Sequence, residues 1–327
     1  MLPALREHDP ASRSQLLVCR AGDLLIGIVP LVSSMRYYRY PLPNLQNWTH
    51  DNAFCGGPLV RTGQEDRFWA ALLDWADKHA GRALFLHLSH LAEDGPLCAA
   101  LLTSASSQGR PVAIVHREER AFLRSDLSPD DYLAASMSGK KRKELRRQHR
   151  RLAEEGELTF ERKIDDRGLS RWTEDFLTLE KAGWKGKNGS ALACDPATES
   201  LFRSTLEGAS NAGKLERLTM LMNGCPIAML ANFLSPPGAF SYKTAYDERY
   251  ARFSPGVLLQ RENLKVLGNP EIRWSDSCAS ANHPMIDRIW REKRSMVRVS
   301  AAIGGKARQA LCRQILRREA PTEMEGN

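Results

Sequence analysis

Apolar and polar positions alternate along the first third of the chain. Residues 15–19 and 24–32 are apolar runs parted by Arg20-Ala21-Gly22-Asp23, which predicts a β-hairpin. Residues 33–58, rich in Tyr, Pro, Asn and Trp, break the pattern and read as an ordered binding loop. Helical spacing follows at 65–79 through Phe68, Leu72, Trp75 and Ala76, then a strand at 83–88, a helix at 95–107 and a strand at 112–115. The order β-β-α-β-α-β argues for an α/β or mixed α+β fold.

A seam falls at 125–131, where Ser128-Pro129-Asp130-Asp131 reads as a capped helix start with Pro129 at the first position. The most charged stretch, K-K-R-K-E-L-R-R-Q-H-R-R at 140–151, then predicts a basic helix. A strand is expected at 158–164 and helices at 172–182 and 197–212. The clearest hairpin joins 215–222 to 226–234 through Asn223-Gly224, because Asn-Gly supplies the positive φ values of a tight turn. A short strand at 271–275, a helix at 284–293 and a last strand at 296–302 complete the chain. The expected division is 1–125, 126–320 and a disordered tail at 321–327.

One stretch, 240–268, joins a strand, a polar loop with Arg249 and Arg252, and a helix opened by Ser254-Pro255-Gly256. A helix start with free N–H groups beside arginines is a generic anion cradle, and equally an ordinary connection with solvated arginines. Residues 16–31 also echo 218–233, hairpin against hairpin, which suggests a duplicated unit.

Composition narrows the function classes. The formal charge of +8 favours an anionic partner such as nucleotide phosphates, RNA or acidic lipid. No run reaches the roughly 20 apolar residues that span a bilayer. Residues 1–20 lack the pattern of a signal peptide. Seven scattered cysteines, none in a C-x-x-C pair, fit a reducing cytoplasm rather than a disulfide frame or a zinc site. Dispersed histidines and the absence of H-E-x-x-H and G-x-S-x-G disfavour metal and serine-nucleophile chemistry, so no metal is expected.

Five segments then carry a resemblance: S-G-K-K-R-K-E-L-R-R with R-L-A-E-E-G (138–156), L-E-K-A-G-W-K-G (179–186), L-M-N-G-C-P-I-A (221–228), Y-K-T-A-Y-D-E-R-Y-A-R-F-S-P-G (242–256) and D-S-C-A-S-A-N-H-P-M-I-D-R-I-W (276–290). In this order the chain resembles the GNAT-type acyltransferases of the CelD/BcsL family, related to FemAB proteins. The resemblance implies two GNAT-like units, each a mixed sheet flanked by helices, with a divergent N-terminal half. Two features depart from the family. Its usual strand and helix before the first hairpin are missing, which would leave an exposed edge strand. Trp274-Ser275-Asp276-Ser277-Cys278 also stands where Asp-Phe-x-x-Gly is usual.

The resemblance implies acyl-CoA, acetyl or longer, as donor substrate and an amine as acceptor, with cell-envelope precursors the expected acceptor class. The strand to Tyr246 would face the thioester, and Phe253, Ser254, Gly256 and Val257 would hold the pyrophosphate with help from Arg249 and Arg252. His283, Asp276 and Asp247 are the candidate proton acceptors, His283 being chemically the easiest base near neutral pH. Each has an alternative task in a helix cap or a turn. Trp184, Lys185, Tyr242 and Lys243 are candidates for the acceptor site, and both lysines equally suit solvated heads on packed stems. Lys140 and Arg142 of the basic helix suit a solvated face, a clamp for a phosphorylated or lipid acceptor, or an RNA contact. Transient contact with an anionic membrane surface stays open. Nucleic acid is disfavoured because no aromatic residues interleave the helix. A FemAB-like reading would bring in aminoacyl-tRNA, and a non-catalytic binding module is the third alternative.

Overall fold

The computed structural model describes residues 2–320, so the expected tail at 321–327 lies outside the described residues. In chain order the elements are α1 (Leu2–His8), β1 (Ser14–Ala21), β2 (Leu24–Ser34), β3 (Asn44–Asn47), β4 (Leu59–Val60), α2 (Glu65–His79), β5 (Phe85–Ala92), α3 (Pro96–Ser107) and β6 (Val112–Leu123). There follow α4 (Pro129–Ser136), α5 (Gly139–Ala153), β7 (Leu158–Lys163), α6 (Leu169–Ala182), α7 (Trp184–Lys187), α8 (Pro196–Asn211), β8 (Leu215–Met222) and β9 (Cys225–Ser235). The last are β10 (Gly238–Tyr246), α9 (Pro255–Asn263), β11 (Trp274–Asp276), β12 (Glu292–Ala302) and α10 (Lys306–Glu319). The fold is mixed α+β, with mixed sheets flanked by helices.

Two compact units emerge, residues 8–119 with 294–320 and residues 2–7 with 120–293. In the first, strands follow the order β1-β2-β3-β5-β12-β6, with β4 beside β2 and β1 outermost. Helices α2 and α3 bury Phe68, Trp69, Leu72, Leu73, Leu101 and Ala105 against Ile26, Val29, Leu86, Leu88 and Val297. Helix α10 sets Cys312 and Leu316 against Phe85, Ala113 and Ala302.

The second unit has the order β11-β10-β9-β8-β7, with Phe122 and Leu123 at the end of β6 pairing β11. Leu145 and Leu152 of α5 and Leu258 and Leu259 of α9 cover one face with Leu218, Met220 and Leu230. The other face packs Trp172, Phe176 and Leu177 of α6 and Phe202 and Leu206 of α8 on Met229, Ala231 and Ala245. Asn223 and Gly224 both adopt positive φ at the β8–β9 turn. Helices α4 and α5 start at serines, Ser128 and Ser138, whose side chains accept from Asp131 N–H and Lys141 N–H.

Three elements differ from the sequence expectations. The segment at 294–319, grouped above with the C-terminal half, packs with the N-terminal unit, because β12 pairs antiparallel with β5 from Met296↔Ala92 to Ala302↔Phe85. Residues 284–289 form successive turns rather than a helix. Ile286, Ile289 and Trp290 are buried at spacing that imitates a helix, while the backbone bonds of the segment are scattered, from Asp287 N–H to His283 O and from Ile289 N–H and Trp290 N–H to Ile286 O. Strand β6 runs on to Leu123, its charged middle exposed and both ends buried.

Leu316 is 1 % exposed, so Leu316→Ala should leave a cavity in the first unit and destabilise it by about 2–5 kcal/mol. Urea unfolding of the variant measures this, and an unchanged midpoint would mean that α10 is not part of the core.

Candidate active site

The site is set by how β10 treats its two neighbours. It pairs antiparallel with β9 along its whole length, with a register shift between Ser241 and Lys243 that leaves Tyr242 as the extra, bulged residue. On its other side it pairs parallel with β11 only from Gly238 to Phe240. From Ser241 onward the two strands part, so that edge of β10 has no strand partner among the described residues. The chain then passes through a 3-10 turn, Glu248–Phe253, and through Ser254 in the left-handed region at φ 53, into Pro255 at the first position of α9.

An open cleft of about 380 Å³ lies over this helix start. Trp184, Tyr246, Ser254, Gly256, Val257, His283 and Arg288 line it. Met285 packs over Gly256, and its Cε would stand 2.8 Å from an added Cβ, so a side chain there would displace the methionine tip.

Residues 139–283 match the family described as Acetyltransferase (GNAT) domain. Among solved structures, FemX is 12% identical over 95% of this chain and 93% of that chain, with a TM-score of 0.54. The C-terminal domain of a putative lysylphosphatidylglycerol synthetase from Agrobacterium fabrum is also 12% identical, over 96% of this chain and 91% of that chain, with a TM-score of 0.55. No curated protein matches the chain by sequence. The fold is GNAT-like, of the FemAB kind.

Within this GNAT-like unit His283 is half-buried, and its Nδ1 makes no hydrogen bond. Burial lowers its pKa; Asp287 pulls the other way and Lys185 adds to the lowering. The imidazole is therefore neutral at pH 7. Arg288, a cation that sequence reading missed, is exposed and makes no ion pair among the described residues. Its five-residue offset from His283 within one motif segment was the available signal.

Where β10 bulges, Lys243 Nζ stands 5.7 Å from the Tyr242 ring centroid. Its pKa is pushed down to about 8, first by burial and then by the charge of Lys185, with Glu180 and Cys278 opposing. Burial pushes the Tyr242 hydroxyl upward. Lys185 Nζ bonds Glu180 Oε1 at 2.6 Å and reaches the Thr244 carbonyl at 3.5 Å, while Glu180 Oε2 accepts from Leu192 N–H at 2.8 Å. Glu180, buried on α6, is a second residue that sequence reading passed over, five positions before Lys185.

The other candidates stand elsewhere. Asp276 is fully buried, its two oxygens each 2.7 Å from Arg120, and it also accepts from Cys278 N–H. Asp247 accepts from Arg249 N–H and pairs with the Arg249 guanidinium at 2.6 and 2.9 Å, and those bonds hold its carboxyl below the usual range. Asp247 and Arg249 line a neighbouring hollow of about 450 Å³ with Glu248 and Lys187, not the cleft. Arg252 bonds Glu155 at 2.8 Å, with its guanidinium 4.6 Å over the ring of the buried Phe253. Trp184, half exposed on the cleft wall, donates its backbone N–H to Glu248 Oε1 at 2.6 Å. Lys140 and Arg142 sit on the first turn of α5 and do not line the cleft; Arg142 Nε is buried without a partner.

Two outcomes follow from these placements. Asp276→Ala should destabilise the unit by about 3–5 kcal/mol, because Arg120 would be left charged and buried. Chemical denaturation reads this, and full stability would mean that the pair does not order β11. Lys243→Met should raise the thermal midpoint at pH 7. The native lysine pKa lies below the unfolded value near 10.4, so folding penalises the charged form fully below about pH 8. The gain of the variant should fade as pH rises from 8 toward 10.4, and a gain that ignores pH would contradict this account.

Proposed function

We propose that the protein is an acyl-CoA-dependent N-acyltransferase of the CelD/BcsL kind, acting in the cytoplasm on an amine of a cell-envelope precursor such as a nucleotide sugar, a polysaccharide or a long-chain lipid amine. The reading rests on one observation above others: β10 leaves β11 at Phe240 and leads into a helix start beside a cleft that holds a neutral histidine. A strand edge freed in this way offers backbone N–H groups to a thioester carbonyl, whose oxygen gains negative charge as the amine attacks. The new C–N bond forms while the C–S bond breaks. The amine proton passes to His283, and the departing coenzyme A thiolate takes up a proton. Gly256 N–H and the Arg288 guanidinium are the groups nearest the helix start that suit the donor phosphates. Lys185 and Lys243 would receive an acceptor that carries negative charge.

A FemAB-like transfer from aminoacyl-tRNA is the second reading. It is favoured by α5, whose Arg147 and Arg151 line a hollow with Arg252 and Phe253 of the same loop and whose Lys140, Lys141, Lys143 and Arg146 are exposed.

Calorimetry with coenzyme A and acyl-CoA of several chain lengths tests the first reading, which fails if none binds. Gly256→Glu should abolish that binding. His283→Ala should keep it and lower kcat by about 10²–10⁴-fold. The rate limb due to His283 should fall with decreasing pH below about 6.5, the ordinary histidine value, because the neutral form is the active one. Joint charge reversal of Lys140, Arg142 and Arg146 should spare coenzyme A binding; its loss of tRNA binding together with activity would favour the second reading. If Gly256→Glu and His283→Ala both leave the cellular phenotype intact, a non-catalytic binding module is the better account.

A further inference from the structure

We propose that the loop at 35–41 docks the protein on an anionic lipid bilayer. The surface lies in the first unit and rests on no step of the acyl-transfer reading. Tyr37 and Tyr40 exchange backbone hydrogen bonds of 2.9 and 3.0 Å, closing a tight turn with Tyr38-Arg39 at its tip. Tyr38 sits there at φ 50, a left-handed conformation that turns normally give to glycine or asparagine. The turn is anchored from below. The Tyr37 ring is 4 % exposed, meets Phe85 and His87 edge-on, and its hydroxyl donates to Glu319 Oε1 at 2.6 Å. The Arg36 carbonyl accepts from Ser34 Oγ at 2.7 Å and from Asn44 Nδ2 at 3.0 Å.

Above that anchor Met35, Tyr38 and Tyr40 are 61%, 56% and 51% exposed. Arg39 and Arg298 lie against these rings and the exposed Arg36 neighbours Met35 in the chain, and none of the three pairs with a carboxylate among the described residues. Arg39 donates to the Tyr40 hydroxyl and Arg298 to the Tyr38 hydroxyl, each at 3.0 Å. A strained backbone held this firmly at an exposed tip presents its side chains in one fixed arrangement. Tyrosine rings with polar tips match the depth of lipid headgroups, methionine matches the acyl boundary, and arginines match the phosphates. Single-stranded nucleic acid fits less well. Each exposed ring already carries a guanidinium, Arg39 at 5.1 Å from the Tyr40 centroid and Arg298 at 6.0 Å from that of Tyr38, so neither is a bare stacking platform.

Co-sedimentation of the full chain with vesicles of phosphatidylcholine alone, and of equal parts phosphatidylcholine and phosphatidylglycerol, tests the surface. Binding is expected only to the mixed vesicles and should weaken with salt. Arg39→Glu should lower the partition constant by roughly 25-fold, two charge units at about five-fold each. Tyr38→Gly with Tyr40→Ser should also lower it; glycine suits the Tyr38 backbone, so the fold is retained and circular dichroism should be unchanged. The proposal is overturned if these variants partition like the parent, or if neutral vesicles bind equally well. It is also overturned if binding is lost in Lys140→Glu/Arg146→Glu but kept in Arg39→Glu, or if polyuridylate binds the parent while neither vesicle does.

Discussion

Strand β11 is three residues long, and two contacts fix both where it lies and where it stops. At its start the Trp274 indole lies over Gly238, where a Cβ would come within 2.2 Å of the ring. Only glycine lets β10 approach closely enough for the parallel pairs Gly238↔Trp274 to Phe240↔Asp276. At its end the Asp276 carboxylate is held by Arg120 and turns back to accept from Cys278 N–H. Cys278 adopts φ 51, so the chain leaves the strand direction there. Beyond Phe240 β10 keeps β9 but loses β11. The bulge at Tyr242, the free edge and the cleft over α9 all depend on that parting.

The same parting sets the electrostatics. Three ionisable groups, Lys243, Lys185 and Glu180, share a poorly solvated corner beside the bulge, with two cations to one anion. Glu180 bonds Lys185 and Leu192 N–H, while burial first, and the Lys185 charge second, weigh against the charged form of Lys243. A pKa of about 8 corresponds to on the order of 3 kcal/mol against its charged form. Natural folds keep such a penalty where function needs the group, and hydrophobic substitution there trades activity for stability. His283 carries a burial penalty of the same sense, which keeps its ring neutral without any bonded partner at Nδ1.

Much of this fold was legible in the sequence because its signals were local. Asn223-Gly224, Ser128-Pro129 and Ser254-Pro255-Gly256 each state a backbone geometry within four residues, and each stands where the pattern placed it. Signals that depend on distant partners were not legible. Pairing of β12 with β5 joins residues about two hundred positions apart, so 294–319 could not be assigned from periodicity. The run Ile286, Ile289, Trp290 has helical spacing, but its buried side chains are delivered by successive turns, which periodicity does not distinguish from a helix. Arg249 and Arg252 read as phosphate ligands on their own; their partners, Asp247 and Glu155, are fixed only by the folded loop. Spacing likewise could not reveal the bulge at Tyr242, since one extra residue leaves a strand pattern almost unchanged.

Those partnerships change how the helix start can bind an anion. Of its first backbone groups, Ser254 N–H bonds Ala251 O, Pro255 has none, and the N–H groups of Val257 and Leu258 both turn back to Ser254 O. Gly256 N–H is what is left, against the several donors of a glycine-rich phosphate loop. With Arg249 and Arg252 each paired to a carboxylate, Arg288 and the helix start are the groups lining the cleft that suit an anion. A donor bound here would thus be held less by a phosphate cradle than by the strand edge along β10 and the apolar wall of Trp184, Tyr246 and Met285. Affinity in such a site should depend on the apolar length of the donor more than on its charge, because each buried methylene contributes about 0.8 kcal/mol while one exposed guanidinium contributes at most about 1 kcal/mol.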